Sequence, residues 1–264
     1  MLRKTMGAIT VFLAMVILPV AELGGETTKL PILCYHHVLP DADNKNFREN
    51  GIVMSQELFA KHMEYLYTNG YHSVTLEELK SFVFNKTPLP PKSVMITFDD
   101  GYESNYLFAY PILKQYGFTS LLFLITGAIN VQDVPYNPDE LDRLSWLQIL
   151  AAQDVFTYGS HTYNLHYHTD NTTAIMKASP TEALADFKKS LLRIQDRTIF
   201  SYPEGRHNEQ IVSMLEHNGI TMGFTVKEGY VTMNSNPMLL ERITIYNAYG
   251  INILEKIVTG RFKQ

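Results

Sequence analysis

The sequence predicts an α/β fold, with one barrel-like domain built from about seven parallel strands and the helices that connect them. After residue 25 the chain alternates short apolar runs with longer amphipathic stretches, which is the pattern of strands and helices taken in turn. The apolar runs are typical of strands buried on both faces, as they are in a parallel sheet. Seven such units in a chain of 264 residues fit one domain better than two.

Each element has its own local signals. The predicted strands are Leu30–Tyr35, Ser93–Phe98, Ser120–Ile125, Val155–Tyr158, Ile199–Tyr202, Met222–Val226 and Leu240–Ile245. The predicted helices are Ser55–Asn69, Leu76–Phe84, Tyr106–Tyr116, Ser145–Ala152, Thr181–Ile194 and Asn208–Asn218. Ser55 and Thr75 are suited to cap the first two helices, and Glu78 completes a capping-box pattern after Thr75. Three helices end at Asn-Gly or Tyr-Gly pairs, which favour the turn before the next strand.

The composition excludes several classes of protein. The chain is 45% hydrophobic and 19% charged, with a net charge of −5, so it can bury a sizeable core and is not a disordered tail. No stretch is basic enough to follow a phosphate backbone, and we predict no nucleic-acid partner. Cys34 is the single cysteine, which excludes an internal disulfide and any Cys-x-x-Cys motif. A bound metal would therefore need His, Asp or Glu ligands.

Residues 1–25 have the pattern of an export signal. Arg3 and Lys4 precede an apolar block, Met6–Ala21, which contains no charged residue. The block is shorter than the roughly 20 residues that a membrane-spanning helix needs. The sequence therefore favours a signal peptide, with an uncleaved membrane anchor or a buried first helix as alternatives. We predict a secreted or cell-surface protein whose folded domain comprises residues 30–264.

The strongest local signal follows the second predicted strand, where residues 94–101 read Val-Met-Ile-Thr-Phe-Asp-Asp-Gly. A buried strand runs directly into Asp99 and Asp100, and Gly101 permits a tight turn. In parallel α/β folds the carboxyl ends of the strands carry the active site. Two adjacent carboxylates repel each other unless a cation lies beside them, so we expect one to bind a metal and the other to act as a base. The alternative is a helix cap formed by Asp100.

A second signal is the histidine-rich stretch that begins after the fourth predicted strand, at residues 159–168. His161 and His166 would be about 140° apart on a helix, so they converge only if the segment is a loop. Two neutral imidazoles and one carboxylate make a three-ligand site with open positions, which is typical of catalytic metals. His168 is an alternative ligand, and ordinary surface or core histidines are the other interpretation.

Two weaker signals complete the pattern. His36 and His37 directly follow the first predicted strand. One of them could be a general acid, because histidine has a pKa near neutrality. The fifth predicted strand ends in Tyr-Pro-Glu-Gly, residues 202–205. The backbone N–H groups of this turn, including that of Glu204, could form an oxyanion hole. The alternative is an ordinary turn.

Taken together and in this order, these segments resemble the polysaccharide deacetylase family, also called carbohydrate esterase family 4 or the NodB-homology family. The resemblance covers residues 30–245 and implies a distorted, incomplete (β/α) barrel of about seven parallel strands. Residues 97–101 match the family's first motif, in which the first Asp is the catalytic base and the second is a metal ligand. The resemblance implies these roles for Asp99 and Asp100, and a divalent ion, with zinc favoured over cobalt or nickel.

The family's second motif supplies two histidine ligands, which implies this role for His161 and His166. Most members space these histidines four residues apart, and the five-residue spacing here resembles the branch that deacetylates poly-N-acetylglucosamine. That branch takes its general acid from an N-terminal Tyr-His element, here Tyr35 and His36. Other members use a C-terminal histidine, and the segment Leu239–Ile243 contains none.

The third motif departs from the family pattern at two positions. Ser201 stands where an Arg usually orients the base, and Glu204 stands at the aromatic position, where its backbone N–H can still serve the oxyanion. Arg242 and Arg206 are the candidates to replace the missing Arg.

The resemblance implies a hydrolase that removes N-acetyl groups from an N-acetylglucosamine polymer. The predicted substrate contacts are Tyr102, Tyr163, Tyr167 and Arg242. The predicted partners are the polysaccharide and, through residues 1–25, a membrane. Two alternatives remain open: another carbohydrate N- or O-deacetylase, such as one that acts on peptidoglycan, and a carbohydrate-binding protein without turnover. The catalytic and ligand positions are all chemically competent, which favours the enzyme.

Overall fold

The computed structural model describes residues 27–262. The predicted export signal, residues 1–25, lies outside these described residues. Within residues 27–262, no helix is both long and apolar enough to cross a membrane.

The described part of the chain is built around one curled parallel sheet. The strands are β1 (Ile32–Tyr35), β2 (His37–Leu39), β3 (Val53–Ser55), β4 (His72–Ser73), β5 (Ser93–Phe98), β6 (Ser120–Leu124), β7 (Phe156–Ser160), β8 (His168–Thr169), β9 (Thr172–Thr173), β10 (Ile199–Ser201), β11 (Met222–Phe224) and β12 (Ile243–Thr244). Seven of them lie in the order β11-β10-β7-β6-β5-β1-β12, with all neighbours parallel, and β4 pairs with the start of β5. This arrangement confirms the predicted fold class.

The two edges of the sheet approach each other through one segment. Leu240 makes a single parallel bridge to Phe224 of β11, and β12 pairs with β1 a few residues later. Arg242 lies between these two contacts and is fully buried. The barrel is therefore incomplete as a sheet, but a short stretch of chain spans the gap between its edges.

The helices between the strands fall close to the predicted positions. They are α1 (Gln56–Thr68), α2 (Leu76–Phe84), α3 (Tyr110–Tyr116), α4 (Trp146–Ala151), α5 (Ala174–Lys177), α6 (Pro180–Leu191), α7 (Glu209–His217) and α8 (Ile251–Val258), with a π-helical turn at Asn105–Ala109 and 3₁₀ turns at Pro203–Gly205 and Pro237–Leu239. Ser55 caps α1, and Thr75 with Glu78 forms the predicted capping box of α2.

Three differences have local causes. The helix predicted at residues 106–116 starts as a π-helical turn, and Pro111, which has no N–H to donate, lies in the first turn of α3. The strand predicted at Leu240–Ile245 shortens to Ile243–Thr244, because Leu240 pairs with β11 instead. Helix α8 was not predicted, although Leu254, Ile257 and Val258 have the helical spacing of a buried face.

Side chains of the central strands alternate between two apolar cores. Val94, Ile96 and Phe98 of β5 belong to the core that also contains residues of α1 and α8. Met95 belongs to a second core, inside the barrel, together with Ile32 of β1. This period of two decides which polar side chains point into the barrel where the strands end.

His62 is a polar residue on the buried face of α1. It is 0% exposed, on the same face of α1 as Phe59, Met63 and Leu66. Its Nε2 donates to the backbone oxygen of Tyr249 (2.8 Å), which leaves Nδ1 to accept from the Tyr35 hydroxyl (3.1 Å). Both ring nitrogens are satisfied in the neutral form, so the helix can bury this residue.

We expect His62 to make the fold sensitive to acid. Burial lowers the pKa of His62 to about 4, whereas an unfolded histidine has a pKa of about 6.5. As the pH falls from about 6.5 to 4, the unfolded chain binds a proton at this histidine before the folded chain does. Neutral His62 therefore contributes fully to the free energy of unfolding above about pH 6.5, and this contribution is lost as the pH falls towards 4. A pKa shift of this size corresponds to a change of roughly 3 kcal/mol in the free energy of unfolding.

Urea unfolding of His62→Gln and of the native chain at pH 7.5 and pH 5 measures this effect. The glutamine does not titrate, so the variant should lose less stability between the two pH values than the native chain. Equal losses in both proteins would contradict the prediction.

Candidate active site

The carboxyl ends of the strands gather polar side chains on the inner face of the barrel. Asp99 follows β5 in phase with Met95, so it continues the inward-facing row. His36 follows β1, His161 follows β7 and Ser201 ends β10. Because parallel strands end at the same edge of the sheet, these residues meet at one mouth of the barrel.

Asp100, His161 and His166 form a compact group of potential ligands. Their donor atoms all lie within 4.8 Å of one another. Asp100 Oδ1 is 3.1 Å from His166 Nε2 and 3.6 Å from His161 Nε2, and the two nitrogens are 3.0 Å apart. The segment between the histidines is a loop, as convergence required. His168 lies outside this group, since its ring contacts Glu204 and the backbone of Asp170.

The chemistry of this group fits a divalent cation. His161 Nδ1 donates to the backbone oxygen of Ser201 (2.7 Å), so in the neutral ring Nε2 carries the lone pair. Burial, and then the neighbouring His166, lower the pKa of His161 to about 4, so the ring is neutral near pH 7. Asp100 Oδ1 is buried, and no hydrogen bond to it forms within residues 27–262. Three electron-rich atoms that converge in a buried space match a catalytic three-ligand metal site.

Asp99 is held by a buried arginine. Arg242 donates from Nη1 to Oδ1 (2.8 Å) and from Nη2 to Oδ2 (2.7 Å), and the Ser201 hydroxyl donates to Oδ2 (3.2 Å). Burial alone would raise the pKa of Asp99, but the Arg242 guanidinium and then His161 hold it well below the usual range. The carboxylate is therefore ionised at neutral pH. Its Oδ2 lies 4.0 Å from His161 Nε2, beside the ligand group.

These contacts decide between the two candidates for the missing Arg of the third motif. Arg242 takes the place beside Asp99, whereas Arg206 is exposed and pairs with Glu204 and the backbone of Asn171. Ser201 fills the space left at the motif position and accepts from Arg242 Nη2 (2.8 Å). The predicted substrate contact of Arg242 is wrong, since its side chain is 0% exposed.

Glu204 has a backbone conformation suited to presenting an N–H group. Its φ of 52° is left-handed, which is uncommon for a residue other than Gly. In this turn the backbone N–H groups of Gly205 and Arg206 donate hydrogen bonds. Within residues 27–262, the N–H of Glu204 donates none to a backbone oxygen of the turn. The Glu204 carboxylate contacts His168 (2.9 Å) and Arg206 (3.0 Å) at the surface, so it adds no buried charge.

His36 and His37 have different environments. A ring nitrogen of His36 lies within 4.8 Å of both an Asp99 oxygen and Cys34 Sγ. His36 Nδ1 is buried, and no partner for it lies in the described part of the chain. His37 is fixed away from the acids by Ser104 Oγ (2.7 Å) and packs edge-on against a tyrosine. His36, rather than its neighbour, therefore lies beside the acids with a ring nitrogen that has no partner in the described part of the chain.

The three predicted substrate tyrosines differ in accessibility. Tyr102 is 6% exposed, with Arg143 4.0 Å above its ring, so little of its side chain is open to a sugar. Tyr163 and Tyr167 line a surface groove of about 540 Å³ together with Lys177 and Lys189. Tyr167 is 56% exposed and remains available for stacking on a sugar ring.

Two residues that were not predicted from the sequence contact the site's backbone. Arg143 Nη1 donates to the carbonyl oxygen of Asp100 (3.1 Å), where the chain has a left-handed φ of 78°. Asp186 of α6 accepts hydrogen bonds from the loop between the two histidine ligands. Neither position is marked by a local motif, since each is far from the site in sequence.

Paired acids, two histidines and a buried arginine lie at the mouth of an incomplete parallel barrel, which is where α/β enzymes carry their active sites. Comparison with known proteins gives the family: the polysaccharide deacetylase model matches residues 86–223. The chain belongs to the polysaccharide deacetylase family, which confirms the resemblance carried by the motifs.

Two curated relatives cover most of the chain. YxkH of Bacillus subtilis (strain 168), assigned as a polysaccharide deacetylase, is 31% identical over 219 residues, which are 82% of this chain and 71% of the relative. The poly-β-1,6-N-acetyl-D-glucosamine N-deacetylase of Staphylococcus aureus is 30% identical over 198 residues, or 73% of this chain and 67% of the relative.

Two solved structures share the fold. Streptococcus pyogenes deacetylase PplD, in complex with acetate, has a TM-score of 0.76 at 24% identity, over 89% of this chain and 99% of that one. IcaB from Ammonifex degensii has a TM-score of 0.71 at 24% identity, over 89% of this chain and 97% of that one. At this level of identity the likeness concerns the fold.

Proposed function

We propose that the protein is a metal-dependent N-deacetylase of an N-acetylglucosamine polysaccharide, with poly-β-1,6-N-acetylglucosamine as the favoured substrate. The observation that carries the proposal is the ligand group Asp100, His161 and His166 directly beside an ionised Asp99. An ionised acid beside a ligand group is the base that hydrolysis needs, which favours an enzyme over a binding protein without turnover.

Asp100, His161 and His166 would hold a divalent cation, with zinc favoured over cobalt or nickel, which would lower the pKa of water and polarise the acetyl carbonyl. Asp99 accepts a proton from the water that attacks the acetyl carbon. Because its pKa is held low by Arg242, Asp99 is always available in the basic form at neutral pH. Arg242 fixes both oxygens of Asp99, which keeps the accepting lone pairs directed at one place.

Two further groups complete the hydrolysis. The backbone N–H of Glu204 donates to the oxyanion that forms when water adds to the carbonyl carbon. His36 donates a proton to the departing sugar amine, because an amine without that proton would leave as an anion. The products are acetate and a free amine on the polymer.

The sugar polymer is expected to lie along the surface that carries Tyr163 and Tyr167. Both residues lie in or beside the loop that holds the two histidines, and they line the same surface groove. The five-residue histidine spacing and the Tyr35–His36 element support the poly-N-acetylglucosamine branch. The Staphylococcus aureus relative, a poly-β-1,6-N-acetyl-D-glucosamine N-deacetylase, supports it independently.

Acetate release from matched oligomers tests the substrate class. The zinc-loaded full chain would be given β-1,6-linked and β-1,4-linked N-acetylglucosamine oligomers, peptidoglycan fragments and an O-acetylated sugar polymer. We expect the highest kcat/KM on the β-1,6-linked oligomer. A preference for peptidoglycan or for the O-acetylated polymer would replace the favoured substrate with that alternative, and binding without release would support the non-catalytic alternative.

The location follows from the substrate. Exopolysaccharides lie outside the cell, and we propose that residues 1–25 direct the protein to the exterior or anchor it at the membrane surface. Cell fractionation with amino-terminal sequencing of the exported protein tests this. An intact terminus in the membrane fraction indicates an anchor, and a new terminus near residue 25 indicates a cleaved signal.

Replacing His36 with Gln is expected to lower kcat for N-acetyl hydrolysis by about 10²- to 10⁴-fold. The same variant should hydrolyse 4-nitrophenyl acetate nearly as fast as the native chain, because nitrophenolate leaves without a proton. His37→Gln is the matched control, since His37 is fixed on Ser104 and should change either rate only a few-fold. Equal losses on both substrates in His36→Gln would contradict the role of a general acid.

A further inference from the structure

We infer that Asp186 is a positioning residue that sets the geometry of the metal-ligand loop, an inference that rests on the proposed function. The loop runs from His161 to His166, and Asp186 approaches it from α6, twenty residues further along the chain. In this role, the Asp186 carboxylate fixes the position of His166 relative to His161 and Asp100.

The carboxylate accepts three consecutive backbone N–H groups. Asp186 Oδ1 accepts from Tyr163 (2.8 Å), and Oδ2 accepts from Asn164 (2.7 Å) and Leu165 (3.1 Å). These residues are the central part of the segment between the two histidines. Asp186 is only 8% exposed, so the bonds are shielded from water. A charged acceptor shared by successive N–H groups is a strong way to fix a loop that has no regular secondary structure.

The other side of the loop is held through its carbonyl groups. The N–H groups of Thr126 and Gly127 donate to the backbone oxygens of Thr162 (3.1 Å) and Tyr163 (2.7 Å). Thr162 has a left-handed φ of 75°, a conformation that a threonine adopts only when its surroundings enforce it. Asp186 supplies the enforcing contacts on the N–H side, so its loss should let His166 move relative to its two co-ligands.

The five-residue spacing of the two histidines explains why their loop needs an external contact. An i, i+4 pair of histidines on a helix is aligned by the helix itself, whereas five residues place the rings about 140° apart. The extra residue forces the segment into a loop, and the loop needs an anchor of its own. Asp186 provides that anchor from a helix whose position is fixed by Ala183 and Phe187 in the core.

Zinc affinity of the folded full chain tests the inference. Competition with a fluorescent chelator at pH 7.5 would give the affinity of the native chain, Asp186→Asn and Asp186→Ser. Ser179→Ala is the matched control, because it removes the cap of the same helix without touching the loop. We expect both Asp186 variants to bind zinc about 10- to 100-fold more weakly, and the Ser179 variant to bind it as the native chain does.

The cobalt-loaded proteins give a second readout. A displaced His166 should change the visible absorption of bound cobalt in the Asp186 variants and not in the Ser179 variant. Native zinc affinity and a native cobalt spectrum in either folded Asp186 variant, even with a lowered Tm, would overturn the inference and leave a purely structural role. The proposed function fails separately, if the native chain binds zinc and releases no acetate.

Discussion

Asp99→Asn is expected to lower kcat for N-acetyl hydrolysis by about 10²- to 10⁴-fold, the range that a general base supplies. The amide cannot accept the proton of the attacking water. It keeps the size of the carboxylate but leaves the buried Arg242 without its counter-charge, so the variant should also lose stability. Asp99 is not one of the three grouped ligands, so zinc should remain bound at one ion per chain. Acetate release at saturating substrate, together with zinc analysis of the purified variant, measures both quantities.

Asp100→Asn is the matched control for this prediction. The two acids are adjacent in sequence, but Asp100 belongs to the ligand group, so its variant should lose zinc as well as activity. Activity within ten-fold of the native value in Asp99→Asn would show that another group accepts the proton. Loss of zinc from Asp99→Asn would instead place this carboxylate among the ligands.

Arg242→Met should be the most destabilising of these substitutions, with a loss of about 3–5 kcal/mol in the free energy of unfolding. The methionine approximates the arginine stem but leaves the Asp99 carboxylate buried without its cation. The Thr225 carbonyl oxygen also loses the donor that Arg242 Nε supplies (2.8 Å). Urea unfolding of the metal-free protein at pH 7.5 measures the loss.

A double variant separates the charge from the packing. Arg242→Met combined with Asp99→Asn has no buried charge at this position, so it should be more stable than Arg242→Met alone. Stability losses that simply add in the double variant would show that the pair does not interact in the way its geometry indicates. Both variants should be inactive, so stability is the informative quantity.

The sequence located the site because its residues follow strands directly. Asp99, Asp100 and His161 each come after a buried strand, and the rule that parallel strands end at one edge brings them together. The sequence left Arg242 and Arg206 as candidates for the arginine beside Asp99. The choice depends on the segment that spans the gap between the sheet edges, where Arg242 lies. Strand periodicity alone cannot show which distant cation reaches a buried acid.

Two missed residues share a signal that the sequence did contain. His62 lies among the apolar positions of α1, and Asp186 lies among those of α6, between Ala183 and Phe187. A polar residue on the apolar face of a helix must find a hydrogen-bond partner in the core. The spacing of apolar residues predicts the buried face of each helix. The hydrogen-bond partners of the two polar residues, Tyr249 and the histidine loop, depend on the three-dimensional packing.

The most direct test of the account is acetate release from a β-1,6-linked N-acetylglucosamine oligomer by the full chain, followed before chelation, after chelation and after one equivalent of zinc is restored. Free amines would be counted in the same samples. The account predicts equal amounts of acetate and amine, loss of both with the chelator, and recovery of both with zinc. Zinc bound at one ion per chain without any release of acetate would contradict it.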